Sequence, residues 1–381
     1  RTLTWRTIEA GIRMLGSWQY AFHTFYRSPA MTDHAMTMFF KSVWEHAYRL
    51  RGFCTSHNWL MMEMNGLIHI AVLYPFFADA AEWRAFAIER LNEQLESQIY
   101  EDGFQFELST NYHNVVLSNF NGVNDLLLAY HVPMSARMKE QIYKLFMLNI
   151  KLMLPDYTLP DLNDGSTRNW LGNAKALEYF PDDPVFRWVA SECRGGHKPP
   201  FTSISLPYAG MTVFRTGWTR DAMWAFFDGG PFGKAHQHED KLSFDLYAYG
   251  KNLLSDVGNY DYDTSLMRAY VLSTRAHNTG MVDREGQNRR AKYEWHPEDI
   301  HVKSELAWRF SDDFEVSEAE YNEGYGPNFI DVTHHRKVIF FKKGVEGTKP
   351  FFVLLDTFTP NDEKEHLYEV LFQLDKQPIE A

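Results

Sequence analysis

A chain of 381 residues with 45% hydrophobic and 23% charged residues has the composition of a folded protein of about two domains, and a disordered chain is excluded. Its formal net charge of −12 argues against the basic face a nucleic-acid binder needs, and no apolar run approaches the ~20 residues of a membrane span. Cys54 and Cys193 are too few for a disulfide framework and lack metal-ligand spacing. Aromatic residues reach 16%, which suits either a large core or a groove lined with rings for sugars. Arg1 begins inside a helical pattern and Ala381 follows a strand-like run, Leu367–Leu374, so the chain reads as an internal segment of a longer protein.

Residues 1–200 read mostly as helix. Ile8–Phe22 and Thr37–Leu50 place apolar residues at steps of three and four, and Asn58–Leu73 continues the pattern up to Pro75. Ala81–Ile99 is the clearest amphipathic helix, with Trp83, Phe86, Ile88, Leu91, Leu95 and Ile99 set among glutamates. His113–Tyr130 and Ser135–Leu152 follow, separated by Pro133. Helices joined by short connectors predict an α/α bundle, toroid or solenoid, and the absence of a fixed sequence period weighs against the solenoid.

After about residue 200 the period shortens. Met211–Arg215, Met223–Asp228, Leu242–Tyr249, Asn278–Val282, Lys337–Phe341 and Phe351–Thr357 read as strands bounded by Gly, Pro, Asn or Asp. Tyr249-Gly250-Lys251-Asn252 reads as a hairpin turn leading into Leu253–Ser255. Helices first and strands second predict two packed units, 1–200 and 201–381. The helical part carries 18 basic and 21 acidic side chains against 20 and 29 in the strand-rich part, so it is the less repulsive to an anionic ligand.

Three polar clusters stand out. Gly233–Asp240 contains His236 and His238, and two histidines at i and i+2 share a face if the segment is a strand. Asp256 and His277 lie downstream, and His, Asp and His together suit Zn²⁺. A cupin also uses His-x-His, but the glutamate it needs is absent, since Leu242 and Ser243 occupy those places. The second cluster, Asp102–His113, joins two helices; its plain alternative is a cap at Ser109 or Thr110 with Tyr112 packing. The third, Ser56-His57-Asn58-Trp59 with Glu63, opens an apolar helix and has a similar capping alternative. Pro160–Ser166 reads as a polar loop.

In order along the chain, these clusters resemble the heparinase II/III-like polysaccharide lyases, with the heparinase III branch favoured. The segments that carry the resemblance are SHNWLMMEMNGL, DGFQFELSTNYH, HQHEDKLSFDLYAYGKNLLSDVGNY and TRAHNTGMVD. The resemblance implies an α+β two-domain fold: an incomplete N-terminal α/α toroid over 1–200, then a C-terminal antiparallel β-sandwich over 201–381, truncated at its end. It implies β-elimination on a uronate-containing polysaccharide, a glycosaminoglycan in preference to alginate, by a periplasmic or secreted bacterial enzyme. Asn58 and His236 are then expected to neutralise the uronate carboxylate and Tyr112 to act as acid or base, with His236 or a second tyrosine (Tyr260 or Tyr270) completing the pair. His57, Trp59, Glu107, His113, Arg268, Tyr270 and Arg275 are expected around the substrate, Glu107 supporting the tyrosine segment. His238, Asp256 and His277 match the ligands of one structural divalent metal ion, with Zn²⁺ favoured. Two other readings stay open. One is a glycoside hydrolase drawing a carboxylate pair from Glu63, Glu107, Asp161 and Asp164; the other is a carbohydrate-binding protein without activity.

Overall fold

The computed structural model describes residues 3–375, and the side chains of His57 and Asn58 lie outside what it describes. The helices are α1 (Thr7–Leu15), α2 (Ser17–Phe25), α3 (Asp33–Phe53), α4 (His57–Leu73), α5 (Ala80–Gln98), α6 (Thr110–Ala129), α7 (Ala136–Leu152), α8 (Lys175–Tyr179), α9 (Pro184–Ala190) and α10 (Leu266–Val271). The strands are β1 (Thr158–Leu159), β2 (Arg168–Asn169), β3 (Ile204–Leu206), β4 (Met211–Arg215), β5 (Trp224–Asp228), β6 (Phe244–Ala248), β7 (Lys251–Leu254), β8 (Gly280–Val282), β9 (Ala307–Phe310), β10 (Glu315–Tyr321), β11 (Val332–Phe341), β12 (Phe351–Pro360) and β13 (Tyr368–Val370). The chain divides into two compact units, Arg1–Gln98 with Asn114–Ile142, and Ile99–His113 with Tyr143–Ala381.

In the first unit the predicted Ile8–Phe22 helix is broken at Gly16, whose φ of −162° and ψ of −58° end α1 and start α2. α1 packs on α4, and the close approach is made at glycines. A Cβ on Gly11 would stand 2.6 Å from the Met62 carbonyl oxygen, and one on Gly66 2.6 Å from that of Gly11. α4 stops at Leu73, two residues before Pro75, with Tyr74 as its C-cap, as the sequence leads one to expect.

The second unit is built on an antiparallel sheet ordered β3-β4-β5-β6-β7. Both of its faces are covered, because alternate residues of β4 and β5 enter different cores. Met211, Val213, Trp224 and Phe226 join Tyr100, Phe104, Phe106, Leu148 and Leu152. Phe214, Ala225 and Phe227 join Val338 and Phe340 of β11 and Ala319 and Tyr321 of β10. That second core belongs to an antiparallel sheet ordered β12-β11-β10-β9, whose central strands bury every second residue. The hairpin expected over Tyr249–Asn252 is present but turns at its first two residues, Tyr249 at φ 56° and Gly250 at φ 74°, and Lys251 and Asn252 begin β7.

Candidate active site and metal pocket

Two of the polar clusters and the Pro160–Ser166 loop lie in the second unit, at 102–109 before α6, 231–240 between β5 and β6, and 160–166 between β1 and β2; the third cluster opens α4 in the first unit. Asp102 anchors the first loop, its Oδ2 accepting the amides of Tyr208 and Ala209 at 2.8 and 2.9 Å. Gly103 sits at φ 101°, and a Cβ there would meet the Lys144 carbonyl oxygen at 2.7 Å, so only glycine passes. Asn163 joins all three loops. Its Nδ2 donates to the Leu108 carbonyl at 3.0 Å, and its Oδ1 accepts the His238 amide at 2.8 Å. The Gln237 side chain donates to the Glu107 carbonyl and accepts the Gly233 amide at 2.8 Å. These bonds satisfy buried backbone groups that no sheet or helix serves.

His236 and His238 are not on a strand. The segment is irregular, and His236 has φ 58°, a left-handed conformation that strains a residue with a Cβ. The two histidines share a carboxylate instead of a sheet face. Oδ2 of buried Asp164 accepts from His236 Nδ1 at 2.9 Å, and Oδ1 accepts from His238 Nε2 at 3.0 Å. Arg268 completes the arrangement with a bidentate fork, 2.5 Å to Oδ1 and 2.9 Å to Oδ2. Burial alone would raise the Asp164 pKa, but the bonds from His236, His238 and Arg268 outweigh it and hold the carboxyl well below the usual range. An ionised carboxylate only accepts, so each histidine must present its N–H to Asp164. His236 therefore keeps its lone pair on Nε2, and His238 keeps its lone pair on Nδ1.

The Tyr112 ring, in the first turn of α6, stacks on the His236 imidazole with centroids 3.5 Å apart and planes 17° from parallel. Its hydroxyl lies 2.7 Å from that of Tyr262, which is itself 3.4 Å from His236 Nδ1. The tyrosine that the fold brings to Tyr112 and His236 is Tyr262, where Tyr260 or Tyr270 was expected. Among the described residues, no side-chain bond or ring contact joins Tyr260 or Tyr270 to Tyr112 or His236, and α10 carries Tyr270. Sequence reasoning missed Tyr262 because Asn259-Tyr260-Asp261-Tyr262 offers two tyrosines in an irregular loop with no period to choose between them. Burial raises the pKa of Tyr112 and, with the Tyr112 hydrogen bond and Asp164 beside it, that of Tyr262, so both phenols hold their protons. Capping does not explain the Tyr112 segment by the expected side chains. The Ser109 hydroxyl is buried without a partner, and that of Thr110 donates to the Pro160 carbonyl at 2.7 Å.

The other expected residues fall in several places. Glu107 is buried beneath the loop, its amide on the Gln105 side chain at 3.1 Å. His113 is a correction: it is 1% exposed, bonds the Leu145 carbonyl at 3.0 Å, and is pulled by burial down to about 4, so it packs α6 instead of meeting substrate. Arg268 is held by Asp164, and Arg275 is an exposed residue of a short 3₁₀ turn, Thr274–Ala276. Trp59 belongs to the first unit, is 42% exposed, and lies 5.5 Å below the Arg6 guanidinium. The His57 and Asn58 side chains lie outside the described residues.

His238, Asp256 and His277 converge, with one ligand atom from each within 4.8 Å of the others, and all three are buried. His277 Nε2 bonds the Val271 carbonyl at 3.1 Å, leaving Nδ1 to face Asp256 Oδ2 at 3.1 Å. His238 Nδ1 is buried with no hydrogen-bond partner. An orphaned lone pair, a second imidazole whose far nitrogen is tied to a carbonyl, and a carboxylate make a donor set that fits Zn²⁺.

Beside His236 a cavity of about 400 Å³ is lined by Asp164, Phe232, Lys234, His236, Tyr262, Arg268, Arg290 and Tyr293, among others. Of the four carboxylates proposed for a hydrolase, Glu63 and Asp164 are engaged, while Asp161 keeps one buried oxygen without a partner. Both Glu63 oxygens take bonds from Thr55, at 2.7 and 2.9 Å, and both Asp164 oxygens are filled.

The family model described as heparinase II/III N-terminus matches residues 1–188, and that described as heparinase II/III-like, C-terminal, matches residues 198–379. A heparin-sulfate lyase of Pedobacter heparinus is 26% identical over 369 residues, covering 92% of this chain and 52% of the relative. One from Bacteroides stercoris is 28% identical over 307 residues, covering 77% of this chain and 46% of the relative. A solved heparinase III aligns with TM-score 0.81 at 24% identity, covering 99% of this chain and 57% of that one. The heparan sulfate lyase structure from Pedobacter heparinus gives 0.71 at 26% identity, covering 92% and 53%. The chain spans about half the length of the curated relatives it matches.

Proposed function

This chain belongs to the heparinase II/III family, and we propose that it is a polysaccharide lyase that cleaves a uronate-containing glycosaminoglycan by β-elimination. The observation that carries the reading is the stack of Tyr112 on His236, with His236 held by Asp164 and Tyr112 hydrogen-bonded to Tyr262. The names of the curated relatives, heparin-sulfate lyases, supply the substrate class. The proposed architecture is an α/α toroid over 1–200 and a β-sandwich over 201–381, the latter supported by the core that β4 and β5 share with β10 and β11.

Elimination moves a proton from C5 of the uronate and breaks the bond from C4 to its oxygen. His236, with Nδ1–H on Asp164, has its Nε2 lone pair free to take the C5 proton. The electron pair left on C5 forms the C4–C5 double bond, and the departing O4 takes the proton of Tyr112. Raised phenol pKa values support the acid role over a phenolate base. The Tyr262 hydroxyl can donate to the Tyr112 phenolate so formed, and Tyr112 recovers its proton from water as His236 gives up the C5 proton. Asn58 is the proposed donor to the uronate carboxylate, whose negative charge grows as C5 loses its proton.

His238, Asp256 and His277 are proposed to hold one divalent ion, favoured as Zn²⁺. Its chemistry there would be structural, fixing the loop that carries His236.

The test is a panel of uronate polysaccharides followed by the ultraviolet absorbance of unsaturated uronate. A hydrolase gives no such signal. Tyr112→Phe keeps the ring on His236 and removes the proton, so turnover should fall by ~10²–10⁴ with binding retained. Turnover within a few-fold of the parent would remove Tyr112 from the mechanism.

A further inference from the structure

We infer that Lys234 and Arg290 form a subsite for an anionic substituent, a sulfate or a carboxylate, on the sugar next to the one being cleaved. The inference rests on the lyase reading and adds to it the residues that select the substrate.

Two sets of residues line the cavity beside His236. Asp164, His236, Tyr262 and Arg268 form the reacting set, where Arg268 and Asp164 neutralise each other through a bidentate fork. The second set is Lys234 and Arg290, with the Phe232 and Tyr293 rings 5.0 Å from each other. Among the lining residues positive charge is in excess, Lys234, Arg268 and Arg290 against Asp164, with Glu107 acting on Lys234 from outside the lining, in a chain of net −12. A local excess of that sign, set in an acidic background, gives a polyanion one favourable place to dock.

Both cations are held in place by the surrounding structure. The Lys234 amide bonds the Phe106 carbonyl at 3.1 Å, and its ammonium sits 4.1 Å from the Trp295 ring centroid and 5.7 Å from that of Phe106. The Arg290 amide donates to Glu239 Oε1 at 3.1 Å, and one guanidinium nitrogen donates to the Gln237 carbonyl. Gln237 and Lys234 flank His236 in one loop, so an anion gripped here is fixed relative to the base. A guanidinium fork and an ammonium point charge are the two side chains that match sulfate and carboxylate oxygens.

The experiment compares Lys234→Ala, Arg290→Ala and the double variant with the parent on three substrates. These are heparan sulfate, the same polymer chemically desulfated, and the desulfated polymer with its carboxyls partly reduced. We expect KM to rise about 10-fold or more in each single variant with kcat within about threefold, and the double variant to exceed either. A rise seen on the sulfated polymer and absent on the desulfated one assigns a sulfate. A rise on both that disappears after carboxyl reduction assigns a uronate. Unchanged KM on every substrate, or a loss confined to kcat, overturns the subsite. Direct titration of a heparan sulfate oligosaccharide into Tyr112→Phe, alone and with the two alanines, separates this failure from that of the lyase reading. If the parent makes no unsaturated product yet Tyr112→Phe binds the oligosaccharide through Lys234 and Arg290, the subsite stands and the chemistry does not. Binding that ignores both residues ends the inference.

Discussion

Asp164 serves two histidines and an arginine with two oxygens, and each oxygen accepts two bonds. Because one carboxylate fixes both imidazoles, the lone pair His236 turns to the substrate and the one His238 turns to the metal pocket have a common cause. Asp164→Asn keeps the shape but offers one acceptor oxygen and one N–H₂. At least one imidazole then faces a donor and must change tautomer or lose its bond. Loss of such a supporting group typically costs ~10–100-fold in metal affinity or activity. The expected result is a drop of that size in kcat, together with weaker Zn²⁺ binding in competition with a chromogenic chelator. Unchanged values of both would reduce Asp164 to a packing role. The sequence singled out His236, His238, Asp256, His277 and Tyr112 as candidates, because each sits in a motif of fixed order, and the fold brings Tyr112 to His236 and gathers the other three. The role of Asp164 stayed hidden, since Pro160–Ser166 has the composition of any polar turn, and the carboxylate meets residues 72 and 104 positions away only once the chain is folded.

At the scale of elements, the helices were legible from their period, α5 above all, and most strands as short runs between turn residues, such as β4, which is buried on both faces. β10 was not, because Glu-Val-Ser-Glu-Ala-Glu-Tyr lacks a hydrophobic alternation: its buried side carries Glu315, held by Lys342 at 2.6 Å, and Ser317. The first half of β11 escaped for the same reason. His334 and Arg336 point inward, where Asp356 of β12 takes bonds from both, at 2.6 and 2.7 Å, and Arg336 also reaches the carbonyls of Leu242 and Asn278. Asp356→Ala would strand a buried guanidinium. Destabilisation of about 3–5 kcal/mol is expected in denaturant titration, against less than about 1 kcal/mol for an exposed pair. α6 gives a pH prediction. His113 has an ordinary pKa of 6.5 when unfolded and about 4 when folded, lowered by burial. A depressed folded value means that the folded state resists a proton the unfolded state accepts. Stability is therefore whole above pH 6.5 and declines toward pH 4, with a slope of about 1.4 kcal/mol per pH unit from this residue. His113→Gln should fall less steeply than the parent between those limits in thermal melts at stepped pH; equal slopes would show that His113 is not titrating there.

For the whole molecule, the helix-then-strand order was readable from the change of period near residue 200, while the boundary of the compact units was not. Ile99–His113 packs with the strand-rich unit through Tyr100, Phe104, Phe106 and Leu108, and those four are apolar residues that a helical half would equally bury. That segment carries Tyr112 onto the same body as His236 and the proposed metal ligands. The consequence is a link between metal and stability that does not pass through chemistry. His238, Asp256 and His277 come from the 231–240 loop, the stretch after β7 and the stretch before β8, so one ion would cross-link three segments of the fold. Binding to the folded state alone stabilises by RT ln(1 + [L]/Kd), about 2.7 kcal/mol at a free concentration of 100 Kd. Protein stripped with a chelator should therefore melt several degrees lower than protein with Zn²⁺ restored, and the melting temperature should climb with the logarithm of added ion. His238→Ala should abolish that climb, and Tyr112→Phe should keep it, since Tyr112 contributes no ligand. A melting temperature that ignores Zn²⁺ in the parent would dismiss the ion, and the trio would then be a buried hydrogen-bonded cluster in which His277 and Asp256 satisfy each other.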